Sequence, residues 1–325
     1  MLPAFLGRSL AALLVLGWTS HAAAESQPLA EPRPSSHYYL HAGLALGAFV
    51  ATGVEELVSI HHGPGFDLAP FGPDDAVRRN FSAAAANLSD KLLAVTMSAP
   101  LFLQMSQGFD TSMGNASLIY TEAHAFNLLL ANTFKISVRR PRPYTHSEDE
   151  RILAFMDRQG ADAYTSFYSG HASAAYTSAM AGSLLYAART DDLAARHVVW
   201  GLEFLMAGMT AQLRVSAGRH YRSDIWVGSL AGLAIGLVVP ALHRVPLERV
   251  RPSEIATAGG AFAVSMLLSE VVSFCKALDY LHLCALPRDI SEPLQDARLS
   301  APPPSWVIAP APFPGGAGFS LSRQL

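Results

Sequence analysis

The sequence predicts an all-α protein, a helical bundle of about six core helices with its active site at one end. Three observations carry this expectation. Long apolar segments of helical length follow one another from residue 38 to residue 274, parted by breaks rich in Pro, Gly, Asp and Asn. Half of the 325 residues are hydrophobic and only 15% are charged, with a mean hydropathy of +0.24. That is oily for a soluble enzyme and low for a chain made wholly of membrane spans, so composition leaves membrane attachment open. The net charge of −3 conceals a strongly cationic group, Arg139, Arg140, Arg142, Arg214, Arg219 and Arg222, gathered where apolar segments end or begin.

Residues 1–24 carry Arg8, an apolar run over 10–18 and Ala22-Ala23-Ala24, the layout of a secretory signal peptide cleaved before Glu25. An uncleaved anchor is the alternative, and the shortness of the run favours cleavage. A Pro- and Ser-rich linker over 25–36 leads into one catalytic unit over 37–250. Its first helix covers 38–57 and breaks at His61-His62-Gly63-Pro64-Gly65. Adjacent histidines point in different directions, and no His/Cys cluster has the spacing of a closed zinc site, so no metal is expected. Asp74 opens a short capped amphipathic helix over 74–87, lying across the bundle mouth. The second long helix covers 88–105, with Pro100 as a kink or break.

In the third helix, 116–134, His124, Asn127 and Lys135 share one broad face, and the first two are best read as satisfied core polar groups. Pro141 and Pro143 stop it, and 144–165 is a charged, solvated loop at the rim. Ser169 is placed to N-cap a helix over 171–188 whose many small residues imply close packing. In the next helix, 197–213, Glu203 shares a face with Arg214 but lies ~16 Å along the axis and is structural. Residues 225–242 carry no charge and are the best candidate for a membrane span. An additional helix covers 251–275, and a Pro/Gly-rich tail over 276–325 ends in a short strand at 318–322. Cys275 and Cys284 would form one local disulfide in an oxidising compartment, or remain two buried thiols.

The chemistry sits in three stretches. Leu213-Arg-Val-Ser-Ala-Gly-Arg-His-Tyr-Arg-Ser-Asp224 places Asp224 one helical turn after His220, where its carboxylate can hold one imidazole nitrogen as N–H and leave the other free to attack. The Arg214 fork matches a tetrahedral oxyanion such as phosphate. Lys135-Ile-Ser-Val-Arg-Arg-Pro-Arg-Pro143 ends one helix, and Ser166-Phe-Tyr-Ser-Gly-His171 opens the next. Two helices end at these motifs and two begin at them, so antiparallel neighbours bring all three to one end of the bundle.

Together the stretches read K-x6-R-P, S-G-H and R-x5-H-x3-D, which resembles the tripartite signature of the type-2 phosphatidic acid phosphatase superfamily over residues 135–224. That superfamily also includes bacterial acid phosphatases and vanadium haloperoxidases. The resemblance implies that Lys135, Arg142 and Arg214 hold the phosphoryl oxygens together with backbone N–H groups at Ser169 and Gly170. His220 would attack phosphorus to give a phosphohistidine, Asp224 would fix its tautomer, and His171 would protonate the leaving oxygen and later activate water. No cofactor is required in this scheme, because fixed cations neutralise the transition state; vanadate would inhibit. In the alternative, a vanadium-dependent haloperoxidase, vanadate would be the cofactor in the same pocket. Two positions depart from the pattern, Tyr168 in place of proline and Leu213 in place of serine, and Tyr168 is a candidate to shape the leaving-group pocket.

The expected partner is a phosphorylated small molecule or lipid, with no nucleic acid. If the first three helices all span a membrane after signal cleavage, parity sends the motifs to the cytoplasm, yet Arg244, Arg249 and Arg251 at the opposite end ask to be cytoplasmic themselves. The conflict dissolves for a soluble or peripherally bound periplasmic domain, or if the N-terminal run is retained or one early helix does not span. The expected location is the periplasm or the periplasmic face of the inner membrane.

Overall fold

The computed structural model describes residues 35–59, 72–78, 80–280, 305–313 and 316–324. The expected signal peptide, most of the linker, the His61-His62 pair and the Cys275/Cys284 pairing lie outside what is described. The fold is an all-α bundle: α1 (Ser35–Ser59), α2 (Ala83–Ser106), α3 (Thr111–Val138), α4 (Glu150–Gln159), α5 (Gly170–Arg189), α6 (Leu193–Ser216), α7 (Arg222–Leu242) and α8 (Pro252–Tyr280). A hairpin closes the chain, β1 (Ser305–Phe313) antiparallel to β2 (Gly316–Gln324), with Ser305 opposite Gln324. It contains the strand expected at 318–322 and adds its partner.

Side-chain caps set several helix starts. The Ser82 hydroxyl accepts from the Ala85 amide at 3.2 Å to open α2, and Asp110 accepts from the Met113 amide at 2.7 Å to open α3. The helix expected over 74–87 is therefore two things: Gly72–Val77 is a 3-10 turn, and the rest is the entry and first turn of α2. Pro100 does not end α2 either. It packs against Gly182 of α5, where an added Cβ would come within 2.6 Å of its ring. The rim segment 144–165 is likewise not a loop, because it contains α4, capped by Asp149. Its charges alternate with apolar residues at helical spacing, and Phe155 packs edge-on against Phe81 (5.3 Å) and Tyr144 (5.5 Å).

The centre of the bundle is α5, buried from Ala172 to Arg189 except at Met180 and walled by α2, α3, α6 and α7. On α7, Gly228, Gly232 and Gly236 face its backbone; a Cβ at Gly228 would lie 2.5 Å from the Ser169 carbonyl, and at the other two it would strike Ser173 and Thr177. Small residues on both helices thus let α5 and α7 start side by side, and the Ser169 amide donates to the Asp224 carbonyl at 3.1 Å. Trp200, Phe204 and Tyr176 fill the space between α5 and α6. His124 meets the Ser178 hydroxyl at 3.1 Å, and Asn127 accepts from Ser173, so both are satisfied core groups as expected. α8 packs on α6, and α1 lies on α3 through a seam of Ala45, Ala48 and Ala125.

Candidate active site

The ends of α3 and α6 and the starts of α5 and α7 meet, so the three sequence stretches come together. Between α6 and His220, Gly218 takes φ +70 with its Cα against the Asn80 carbonyl, leaving no room for a side chain. His220 follows this turn and is 2% exposed. Its Nδ1 lies 2.7 Å from the Ser166 carbonyl, which can only accept, so Nδ1 carries the proton and Nε2 the lone pair. Burial, and then the charges of Arg142, Arg214 and Lys135, hold this imidazole well below its ordinary pKa, which keeps it neutral.

Asp224 does not hold His220 directly, as the spacing predicts; its Oδ2 is 4.0 Å from Nδ1. The reason is competition at the start of α7. Oδ2 accepts from the Tyr221 amide (2.9 Å) and the Ser166 hydroxyl (2.5 Å), while Oδ1 accepts from Arg140 (2.6 Å). Asp224 therefore positions Ser166, and the Ser166 carbonyl positions His220. Burial pushes the Asp224 carboxyl up to about 6, against the lowering charge of Arg140. Arg140 also donates to Asp74 (3.0 Å) and Ser223 (2.9 Å) and sits 4.1 Å over the Tyr221 ring, so its charge is consumed within the scaffold.

Arg214, 6% exposed, donates from Nη1 to Ser89 (3.1 Å) and to Asp90 (3.0 Å), while its buried Nε has no partner among the described residues. Burial, with Arg142 and Arg219 close by, brings its pKa down to about 9. Asp90 Oδ1 also lies 2.8 Å from His171 Nε2, so one carboxylate links the expected general acid to the expected phosphate-binding arginine. The hydrogen bond from His171 is the largest cause of the lowered Asp90 pKa. His171 itself is brought down to about 4, first by burial and then by Arg214 and Lys135, with Asp90 pulling the other way. Lys135 Nζ would lie 3.2 Å from a Cβ at Gly170, so glycine there leaves the ammonium room against the start of α5.

Two expected phosphate contacts need correction. Arg142 directs Nε and Nη2 to the Asp162 carbonyl and carboxylate, both at 2.7 Å, and also meets Thr165 and the Arg219 carbonyl. The 3-10 turn Gly160–Tyr164 brings Asp162 to it, and Arg142 acts on the site through its charge. The Ser169 amide is occupied by the Asp224 carbonyl, and its hydroxyl caps Ala172 at 3.3 Å, which leaves the following amides at the start of α5 to face an anion. Tyr168, the candidate to shape the leaving-group pocket, is 1% exposed and packed 5.4 Å from Phe134, a core side chain closed to solvent.

Sequence reasoning missed Asp90, Asp74, Ser166 and Arg219. Asp90 had a signal, a lone acid in an otherwise apolar helix. Ser166 stood in a quoted stretch, but a role played by its carbonyl leaves no mark on residue type. Arg219 lies 5.0 Å over Phe155 and 3.6 Å from Asp162, contacts that depend on α4 and on the 3-10 turn after it.

Residues 116–246 match the PAP2 superfamily. The chain is 29% identical over 182 residues to a lipid A 1-phosphatase of Rhizobium etli, covering 52% of this chain and 72% of the relative. It is 29% identical over 195 residues to a lipid A 1-phosphatase of Rhizobium johnstonii, covering 56% and 73%. No solved structure matches the chain. The matched residues take in α5, α6 and α7 whole and α3 from Ala116 onward, so the likeness to the PAP2 superfamily covers all three motif stretches.

Proposed function

We propose that this phosphoric monoester hydrolase removes a phosphate from a lipid by in-line transfer to His220 Nε2, followed by hydrolysis of the phosphohistidine. The observation that carries the reading is the contact of His220 Nδ1 with the Ser166 carbonyl, which leaves the lone pair on Nε2 in the field of Arg142, Arg214 and Lys135. In the first step a bond forms from Nε2 to phosphorus as the bond to the leaving oxygen breaks; His171, protonated once the phosphate dianion is bound, gives that oxygen its proton. In the second step His171 takes a proton from water as the water oxygen displaces His220. Arg214, Lys135 and the start of α5 stabilise the equatorial oxygens in both steps.

A lipid substrate is supported by the apolar side chains that flank this cationic end. Leu88, two residues from Asp90, is 46% exposed; Phe134, beside Lys135, is 39%, and Trp226, two residues from Asp224, is 53%. A phosphorylated amphiphile would place its head group on the arginines and its chains across these residues. The relatives' names point to lipid A 1-phosphate as the first lipid to assay. α7 is long and apolar enough to cross a membrane, consistent with work at a membrane surface, and we infer that the site faces the periplasm.

The test is phosphate release from lipid A and from an aryl phosphate by the purified protein, with and without detergent, beside His220→Ala. His220→Ala should lower release by about 10³-fold or more and abolish labelling of the protein by 32P-lipid under alkaline quench. Release surviving in His220→Ala, or vanadate-dependent halide oxidation in place of release, would overturn the reading.

A further inference from the structure

At the far end of the bundle three other side chains converge. His41 from α1, Glu122 from the middle of α3 and His243, the residue that ends α7, bring one ligand-type atom each to within 4.8 Å of the others. Glu122 lies between the rings: its Oε1 is 2.7 Å from His41 Nδ1, and its Oε2 is 2.7 Å from His243 Nε2. The ring centroids are 4.2 Å apart and tilted by 55°, so both imidazole edges turn towards the carboxylate rather than stacking face to face. Glu122 and His243 are almost wholly buried, with side chains 3% and 1% exposed, while His41 is 15% exposed and leaves one side open. Glu122 is about 20 Å along α3 from Lys135, and His243 is about 28 Å along α7 from Asp224, so these groups take no part in phosphoryl transfer.

We propose that His41, Glu122 and His243 form a binding site for a divalent transition-metal cation of zinc type, which cross-links α1 to α3 and α7. Two imidazoles and a carboxylate suit such a cation better than they suit calcium or magnesium, which prefer an all-oxygen shell. Metal bonds of ~2.0–2.1 Å at tetrahedral angles put ligand atoms about 3.3 Å apart, so the two 2.7 Å His–Glu contacts need to open by about half an ångström while the remaining pairs, now within 4.8 Å, draw together. In a neutral ring the proton moves from the ligating nitrogen to the other one, and the imidazole becomes a ligand without changing its charge. Solvent at the His41 side completes the coordination. The cross-link suits α1, which rests on α3 through small alanines while Leu40, Leu46 and Val50 point away, each at least 60% exposed.

The test uses the full chain, stripped with a chelator and titrated with Zn2+ and, separately, with Co2+, whose visible absorption reports coordination. One cation per chain, a rise in Tm on zinc addition and the visible bands of low-symmetry cobalt are expected for the wild type. All three should be lost in His41→Ala and in Glu122→Gln, and retained when His61 and His62 are both changed to alanine. His41→Ala removes a partly exposed ring, and Glu122→Gln keeps a hydrogen-bonding side chain in place, so both should fold. Absence of stoichiometric cation from the wild type, or the same cobalt spectrum and Tm response in Glu122→Gln, would overturn the proposal.

Discussion

Arg196 and Arg214 lie at opposite ends of α6, are both almost wholly buried (3% and 6% exposed), and are treated in opposite ways. Arg196 is closed. Its Nε and Nη2 meet the two oxygens of Glu254 at 2.8 and 2.6 Å, Nη2 also meets the Arg249 carbonyl, and Glu254 accepts in addition from the Arg251 amide. Arg214 is open: it shares a single carboxylate with His171, its Nε is unmatched among the described residues, and other guanidinium groups lie nearby. Burying a cation is costly unless its hydrogen bonds and charge are matched. The first end satisfies that requirement within the chain, whereas the second leaves it for an anion to satisfy. The difference separates scaffold from site without reference to residue type.

Substitution at the two arginines should split the two properties. Arg214→Ala should lower kcat/KM by roughly 10²–10³-fold while leaving Tm nearly unchanged, because it removes a charge that the described residues match poorly. Arg196→Ala strands the buried Glu254 carboxylate and should cost about 3–5 kcal/mol of stability, with kcat of the folded fraction preserved. Denaturant unfolding beside steady-state kinetics reads both. A loss of stability in Arg214→Ala as large as that in Arg196→Ala would break the distinction.

The same contrast explains how much was legible beforehand. The helical order, the convergence of the three stretches and the gathering of Lys135, Arg214, His220 and Asp224 at one end follow from apolar period and motif position, which are properties of residue type and spacing. The partners of each charge do not follow. Arg140 and Arg142 are two residues apart in Arg139-Arg-Pro-Arg142, yet one is consumed by Asp74 and Asp224 and the other by Asp162, because the 3-10 turns at Gly72–Val77 and Gly160–Tyr164 deliver Asp74 and Asp162 and the start of α7 delivers Asp224. The first segment reads as the opening of an amphipathic helix and the second as a solvated loop, since short polar turns have no period to reveal which way they face. Spacing assigns Asp224 to His220, but Ser166 and the Tyr221 amide occupy the oxygen that would reach it.

Asp90 tests the open end from its acidic side. It is the residue that raises the His171 pKa against burial and the neighbouring cations. Asp90→Asn removes that contribution, so the pKa of the general acid falls and the alkaline limb of the kcat–pH profile moves to lower pH. The expected loss in kcat near neutrality is about 10-fold, with KM unchanged or lower because Arg214 is released to the phosphate. A rise in KM with an unmoved limb would mean that Asp90 only supports the fold of α2.

The smallest effect should come from the apolar rim. Trp226, half exposed and edge-on to Phe262 at 5.9 Å, stands at the start of α7 beside the cationic end, and nothing in the phosphoryl-transfer scheme requires an indole there. If lipid chains cross it, Trp226→Ser should raise KM for a lipid phosphate by about 10-fold, the value of one exposed aromatic contact, while kcat is kept. The aryl phosphate is too short to reach the indole and should show no change in either constant. An equal effect on both substrates would place Trp226 with the closed scaffold of Arg196 rather than with the open site, and would remove the rim as an argument for a lipid.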